Sequence, residues 1–433
     1  MLGWTGTILL ALLALSVPVA AALGVLGLFL EWKYSIMPLH LALGEIVWQN
    51  AIEYVLVAIP LFIMLGEILL RAGIAERMYG AMVQWLSWLP GGTMHSNIGS
   101  CAIFAASSGS SVATAATVGT VAYPEVARRG YNEPLFLGTL AAGGTLGILI
   151  PPSVTMIVYG ISTGTSIGRL FIAGILPGLM LTSMFIAWSV FYAARSGSLS
   201  MRDTRRFTLR EKLELTPRVL PFLLLIGGIL YVLYGGVATP SEAAGVGAMM
   251  CFVLIAVIYK VWQPRRIWQI LTSSTRESVM IMMIIGAAAL FSFTLSTLFV
   301  TQSIAEWIAA LEVNRWVLLG AINVFLLVAG FFLPPVAVIV MTAPILLPII
   351  TQAGFDPYWF AVILTINMEI GLITPPVGLN LYVINGIAPD VGLPKVLSGA
   401  VPFVILMIVG ILLLCVFPEI VTWLPNLLMG PGG

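Results

Sequence analysis

Two stretches decide the fold: GTLGILIPPSV at residues 144–154 and MEIGLITPPVG at residues 368–378. Each carries a Pro-Pro pair inside an otherwise unbroken apolar run, with a glycine four residues earlier. Proline in a helix interior removes a backbone hydrogen bond and collides with the preceding turn. Two in succession predict a helix interrupted at that point. Pro151 and Pro375 are 224 residues apart, and the same offset pairs Gly147 with Gly371, Gly130 with Gly354, Tyr131 with Phe355 and Pro124 with Pro348. One matched pair would say little, because glycine and proline are common in membrane helices. Several matches at one offset predict an internal repeat.

Composition sets the medium. Of 433 residues, 60% are hydrophobic and 9% charged, with a mean hydropathy of +1.07. A soluble domain carries about 25% charged residues; charge this sparse cannot cover a water-soluble surface. A cytosolic enzyme, a nucleic-acid binder and a disordered chain are excluded. Recurring apolar runs of about 20 residues predict an all-α polytopic membrane protein, whereas a barrel would alternate apolar and polar residues. The net charge of +1 carries little information. Cys101, Cys251 and Cys415 lack metal-ligand spacing and read as inert apolar residues. His40 and His95 are too few for a zinc or haem-bundle site. No P-loop is present, so the chain does not hydrolyse ATP itself.

Working outward from the two breaks, crossing helices are expected near 5–30, 50–70, 134–161, 168–194, 217–235, 240–260, 276–299 and 396–424, with a second broken one at 358–386. The first lacks a basic leader and runs on to Leu30, so it reads as a retained span rather than a signal peptide. Stretches 94–127 and 316–350 do not fit as simple spans. The first is rich in Gly, Ala, Ser and Thr, and the second contains Pro334-Pro335, Pro344 and Pro348. Each is long enough to enter and leave the membrane on one side, which makes both candidate re-entrant hairpins. Trp85, Trp88, Trp359 and Trp423 are expected at membrane interfaces.

Arg195, Arg202, Arg205, Arg206, Arg210, Lys212 and Arg218 form one basic cluster, and Lys260, Arg265 and Arg266 another. Basic residues accumulate on the cytoplasmic side. The same side then receives Arg71, Arg77, Arg128 and Arg129, and with them the base of the first hairpin. Counting spans places the base of the second hairpin outside. The repeat is therefore inverted, and inverted repeats with paired broken helices point to a secondary transporter whose site lies between the repeats. The basic loop reads as a solvated topology signal, and Arg128-Arg129 as an interfacial anchor.

Candidate chemistry sits at the tips and breaks. Ala106-Ser107-Ser108-Gly109-Ser110-Ser111 supplies small residues for a turn, with hydroxyls and carbonyls able to replace the water around a sodium ion. The competing reading is close helix packing by small residues. The second tip, Leu333-Pro334-Pro335-Val336-Ala337, offers carbonyls but almost no side-chain oxygen. After each break a half-helix begins with free N–H groups that can face an anion. Ser153, Thr155, Thr374 and Asn380 lie nearby, either to bind substrate or to satisfy freed backbone. Glu67 and Glu369 are acids within apolar segments and are functional candidates for that reason; Glu369 adjoins the second break. Ser108 and Ser110 superficially supply nucleophiles for an intramembrane hydrolase, but a nucleophilic serine needs a base within reach. His95 precedes the hairpin, His40 is remote, and no Gly-x-Ser-x-Gly or His-Glu-x-x-His occurs.

FAASSGSSVATAATVGTVAYPEVARRGY (104–131), AAGGTLGILIPPSVTMIVYG (141–160) and GLITPPVGLNLYVINGIAP (371–389) resemble the large membrane subunit of tripartite ATP-independent periplasmic (TRAP) transporters. IPLFIMLGEIL (59–69) and LPGGTMHSN (89–97) fit the same pattern, so the resemblance covers nearly the whole chain. It implies an elevator transporter of the bacterial inner membrane that imports an organic acid, such as a dicarboxylate or a sugar acid, on a sodium gradient. It further implies two partners, a small four-helix membrane subunit and a periplasmic substrate-binding protein, and no organic cofactor. Carried onto this sequence, Ser107, Ser108, Gly109 and Ser110 with Gly143, Gly147 and Pro151 form one sodium site. Leu333 and Pro334 with Glu369, Gly371, Thr374 and Pro375 form the other. Ser111, Ser153, Thr155, Thr374 and Asn380 are left for substrate. Scaffold helices are expected at 1–90 and 217–312, transport halves at 91–195 and 313–433, and a basic loop at 196–216. A one-component ion-coupled transporter is the alternative.

Overall fold

The computed structural model describes residues 5–430 except 6, 10, 13, 14, 16, 36–40, 87, 130, 196–206, 301, 304, 305 and 307–312. His40, Gly130, Arg202, Arg205 and Arg206 lie outside the described residues, as do the side chains of Ser107, Arg128, Arg129 and Arg218. Among the described residues every regular element is helical. Seven helical stretches there are long and apolar enough to cross a membrane. The protein is thus an all-α, multi-pass membrane protein.

The first span is shorter than expected. Helix α1 (Val19–Tyr34) starts only after Pro18, and residues 17 and 18 are non-helical, so 5–30 is not one continuous helix. Proline is tolerated at the start of a helix and not within one. A short surface helix α2 (Leu43–Ala51) buries no residue. A 3-10 turn then leads into α3 (Ala58–Arg71), in place of a helix over the whole of 50–70. Helix α4 (Ile74–Leu86) was not foreseen; it buries Ile74, Ala75, Met78 and Tyr79.

The first hairpin follows as α5 (Thr93–Ser108) and α6 (Ser111–Ala122), with a short α7 (Pro124–Arg129) at its base. The first broken helix is α8 (Glu133–Thr145), a 3-10 turn at Leu146–Ile148, and α9 (Val154–Thr163). Helix α10 (Ile167–Arg195) has 29 residues, about 43 Å at 1.5 Å per residue. Helices α11 (Leu209–Tyr234) and α12 (Pro240–Val257) each open with a capping box, Thr208 with Glu211 and Thr239 with Glu242. Helix α13 (Pro264–Thr297) is 34 residues long and begins well before the expected start at 276.

The second half repeats the plan. Helices α14 (Arg315–Phe332) and α15 (Pro335–Gln352) form the second hairpin. The second broken helix is α16 (Pro357–Leu372) and α17 (Leu379–Ile387). The expected span 396–424 is two helices, α18 (Leu393–Val416) and α19 (Glu419–Met429), parted at Phe417-Pro418 by the proline.

Helix boundaries carry the same offset as the sequence matches. Helices α5 and α14 end at Ser108 and Phe332, α6 and α15 start at Ser111 and Pro335, and α8 and α16 start at Glu133 and Pro357. Each of these pairs is 224 residues apart. Both Pro151-Pro152 and Pro375-Pro376 bonds are cis. Packing is reciprocal as well. The returning helix of hairpin one, α6, lies against α17, and the returning helix of hairpin two, α15, lies against α9. Each hairpin therefore reaches across to the other half's broken helix. Helices α1, α3, α12 and α13 pack on one another alongside this set.

Trp359 is a correction. It is 3% exposed, and its Nε1 donates to the Leu414 carbonyl at 2.8 Å, so it is a core residue and not an interfacial one. Trp85, Trp88 and Trp423 are exposed.

Candidate functional site

Both hairpin tips and both breaks open onto one cavity of 920 Å³. The first tip contributes Ser108 to Ala113, and the first break Ile148, Val154 and Thr155. The second tip contributes Pro334 to Val336, and the second break its flanking residues Leu372 and Leu379. The facing wall comes from Pro18 to Ala20, from Glu67 and Leu70 of α3, and from α13 between Arg276 and Ile284.

The first tip is built by Gly109, whose left-handed backbone (φ +58°) lets α5 stop and the chain reverse. Ser110 then caps α6, its hydroxyl accepting from the Ala113 N–H. Two side chains converge on the turn. Ser108 Oγ lies 2.6 Å from Thr114 Oγ1, and Thr114 Oγ1 donates to the Ser110 carbonyl at 2.8 Å. Three oxygens thus cluster around the tip. Thr114 was not singled out in the sequence, although its i+4 spacing from Ser110 puts it on the same face of α6.

The tip rests on the first break. A Cβ on Gly147 would stand 2.8 Å from the Ser110 carbonyl oxygen, so only glycine allows this approach. Ser111 Oγ donates to the Thr145 carbonyl at 3.1 Å. In the break, Ser153 Oγ donates to the Ile148 carbonyl at 2.5 Å, and Thr155 Oγ1 reaches the same oxygen at 3.2 Å. These hydroxyls satisfy a carbonyl that the interrupted helix leaves free. Thr155 also lines the cavity, whereas Ser153 is fully buried. Pro151 is buried. Gly143 lies apart: a Cβ there would meet Cys101 at 3.0 Å, so it serves the α5–α8 contact.

The second half is chemically different. Leu333 ends the first arm in extended backbone and Pro334 precedes α15. Gly371 packs on hairpin two, where a Cβ would stand 2.7 Å from the Gly330 carbonyl oxygen. Thr374 Oγ1 donates to the Ile370 carbonyl at 2.6 Å. Pro375 is exposed, unlike its counterpart Pro151. Asn380 is fully buried; its Nδ2 donates to the Ala141 carbonyl at 3.3 Å and its Oδ1 has no partner. Glu369 is 0% exposed and neither carboxylate oxygen has a hydrogen-bond partner. Neither Asn380 nor Glu369 lines the cavity. Neighbouring Asn367 donates to Asn323 of hairpin two.

Glu67 lines the cavity wall and is held by Arg71 at 2.7 Å; Arg71 also donates to Ser273 Oγ at 2.7 Å. Arg276 and Glu277 line the same wall. The sequence reading used Arg276 only as the edge of a span. Its signal was a charged pair at the head of a long apolar run. His95 Nε2 sits 2.6 Å from the Pro90 carbonyl at the base of α5, about 20 Å along the helix from Ser108 by the 1.5 Å rise. Among the described residues, no group of three His, Cys, Asp or Glu side chains gathers to hold a metal. Oxygen from hydroxyls and carbonyls is what the tip offers, a donor set suited to a hard monovalent cation.

Known proteins share this plan. The profile described as the tripartite ATP-independent periplasmic transporter, DctM component, matches residues 7–420. The C4-dicarboxylate TRAP transporter large permease protein DctM of Pseudomonas aeruginosa is 37% identical over 381 residues, covering 88% of each chain. The protein of the same name from Rhodobacter capsulatus is 32% identical, covering 97% of this chain and 98% of its own. Other relatives, 32% and 33% identical, are named for isethionate (Oleidesulfovibrio alaskensis) and ectoine (Halomonas elongata). In structure the chain is similar to the Alcanivorax borkumensis YdaH transporter, with a TM-score of 0.63 at 16% identity over 92% of this chain and 91% of that one. These relatives are named as transporter permeases and not as enzymes. With this match running almost end to end, the chain belongs to the DctM family, the large membrane permeases of tripartite ATP-independent periplasmic transporters.

Proposed function

We propose that this permease imports a small organic anion, a C4 dicarboxylate first among candidates, coupled to sodium and by an elevator movement. The observation that carries the reading is the single cavity onto which both tips and both breaks open. Transporters place their sites between repeats, where interrupted helices expose backbone to a ligand. The first site uses the Ser108, Ser110 and Thr114 oxygens for one sodium ion. The second draws on the break at 370–376, with Thr374 as its hydroxyl. Bound sodium offsets the charge of the anion, so the loaded unit crosses the membrane at lower electrostatic cost than an uncompensated anion. The moving unit comprises both hairpins and both broken helices, and α1, α3, α12 and α13 form the fixed scaffold.

The cavity wall at Glu67, Leu70 and Arg276 lies toward the ends of α3 and α13 that carry Arg71, Arg265 and Arg266. By the basic-residue rule this is the cytoplasmic side, so the arrangement corresponds to the state that releases cargo inside the bacterial inner membrane. A small membrane subunit and a periplasmic binding protein complete the machine in this reading. The substrate class leans on relatives named for C4 dicarboxylates.

The test is uptake of labelled succinate into proteoliposomes holding the permease, its small subunit and its binding protein. An imposed inward sodium gradient should raise initial uptake at least tenfold over a potassium control. Equal uptake in both conditions would remove the coupling, and full uptake by this chain alone would favour the one-component alternative.

A further inference from the structure

We propose that Arg276 is the contact between the fixed wall and the transported anion on the release side, a role that rests on the anion-import reading above. Three observations converge on it. Among the described residues, Arg276 is the only lysine or arginine lining the cavity that both tips enter. It is exposed to that cavity and has no carboxylate or carbonyl acceptor among the described residues. Its charged neighbours on the same wall are otherwise arranged. Arg71 is committed to Glu67 and Ser273. Glu277 is adjacent in sequence, and side chains at i and i+1 of a helix do not face each other.

The moving tips themselves carry no cation: residues 106–113 and 333–337 contain no lysine or arginine. They grip cargo through hydroxyls, carbonyls and helix N-termini. A carboxylate arriving in this cavity therefore finds its one full positive charge on α13. A guanidinium presents paired N–H donors that match a carboxylate's two oxygens. Because α13 stays put while the tips travel, the contact forms only when the loaded unit reaches this side. It draws the anion off the tips and leaves the sodium oxygens untouched. Arg276 is a specificity and release residue in this scheme, separate from the ion sites.

The experiment compares wild type, Arg276→Gln and Arg276→Lys in proteoliposomes with the partner subunits. Succinate serves as the dianion probe and sodium dependence is measured in parallel. Efflux from preloaded vesicles reads the cavity side directly. Expected for Arg276→Gln is a KM for succinate efflux raised at least tenfold, with the sodium half-saturation within twofold of wild type. Arg276→Lys should recover most of the loss, since it restores the charge without the fork. An unchanged succinate KM in Arg276→Gln overturns the proposal, as does a matching shift in sodium dependence. If Arg276→Gln does not fold, Arg276→Lys against wild type decides on the same KM split, with a two- to fivefold rise expected and no change overturning it. Wild-type vesicles that ignore the sodium gradient would instead sink the import reading itself, and this role with it.

Discussion

The two hairpin tips occupy equivalent places 224 residues apart and are made of different chemistry. At the first tip, Ser108 and Thr114 bring hydroxyls against the Ser110 carbonyl. The positions one offset later are Phe332, Val338 and Pro334. The first break adds Ser153 and Thr155, where the second has Val377 and Leu379. The second half keeps its oxygen in the break, on Thr374 and on the buried Glu369. Backbone geometry is therefore what the repeat preserves: a reversed chain seated on an interrupted helix. Side-chain chemistry is free to diverge on top of it, and the two proposed ion sites need not be equal in affinity.

The largest effect should come from what the halves share. Gly147 and Gly371 each admit a hairpin backbone where a Cβ would stand under 3 Å from a carbonyl oxygen. Gly147→Val or Gly371→Val should each reduce uptake at least fiftyfold. Overpacking of this kind costs about 1–3 kcal/mol, so the melting temperature should fall by several degrees without loss of the folded protein. If one valine is tolerated, the halves do not seat their tips in the same way.

A smaller and one-sided effect should follow from what the halves do not share. Ser108→Ala combined with Thr114→Val removes the two hydroxyls that meet at the Ser110 carbonyl, each worth about 1 kcal/mol as a hydrogen-bonding group. Sodium half-saturation should rise roughly thirtyfold, about 2 kcal/mol for the pair. Phe332→Leu combined with Val338→Ala, at the equivalent places, should leave it within twofold. Equal responses would mean that the tip hydroxyls are packing residues.

The smallest effect belongs to Trp359. Trp359→Phe loses the bond from Nε1 to the Leu414 carbonyl and part of the buried indole that stacks on Phe355. It should cost about 1–3 kcal/mol of stability in a thermal melt, with transport kinetics unchanged. A change in transport would place α16–α18 packing within the transport step.

Much of this architecture was legible because proline and glycine punctuate it. Pro151-Pro152 and Pro375-Pro376 announced the breaks, and the 224-residue offset predicted helix ends that the fold reproduces. Helix α4 escaped notice because Glu76, Arg77 and Gln84 interrupt its apolar run in sequence, which lowers its hydropathy while leaving one side to bury. Trp359 was misread because tryptophan occurs both at interfaces and in cores, and only the tertiary partner at Leu414 distinguishes them. Ser153 was legible as a break residue, but its choice of the Ile148 carbonyl depends on a turn geometry that no spacing encodes. Arg276 needed three dimensions, since its meaning comes from hairpins distant in sequence that share its cavity.

The central claim is that both tips travel as one body past α13. Spin labels placed pairwise at Val112 and Val336, and at Val112 and Met280, measure this in the assembled transporter, all three being cavity-side positions. On adding sodium and substrate under cycling conditions, the account predicts an unchanged tip-to-tip distance and a new, separate population in the tip-to-α13 distance. A tip-to-tip distance that shifts while the tip-to-α13 distance stays fixed would contradict it.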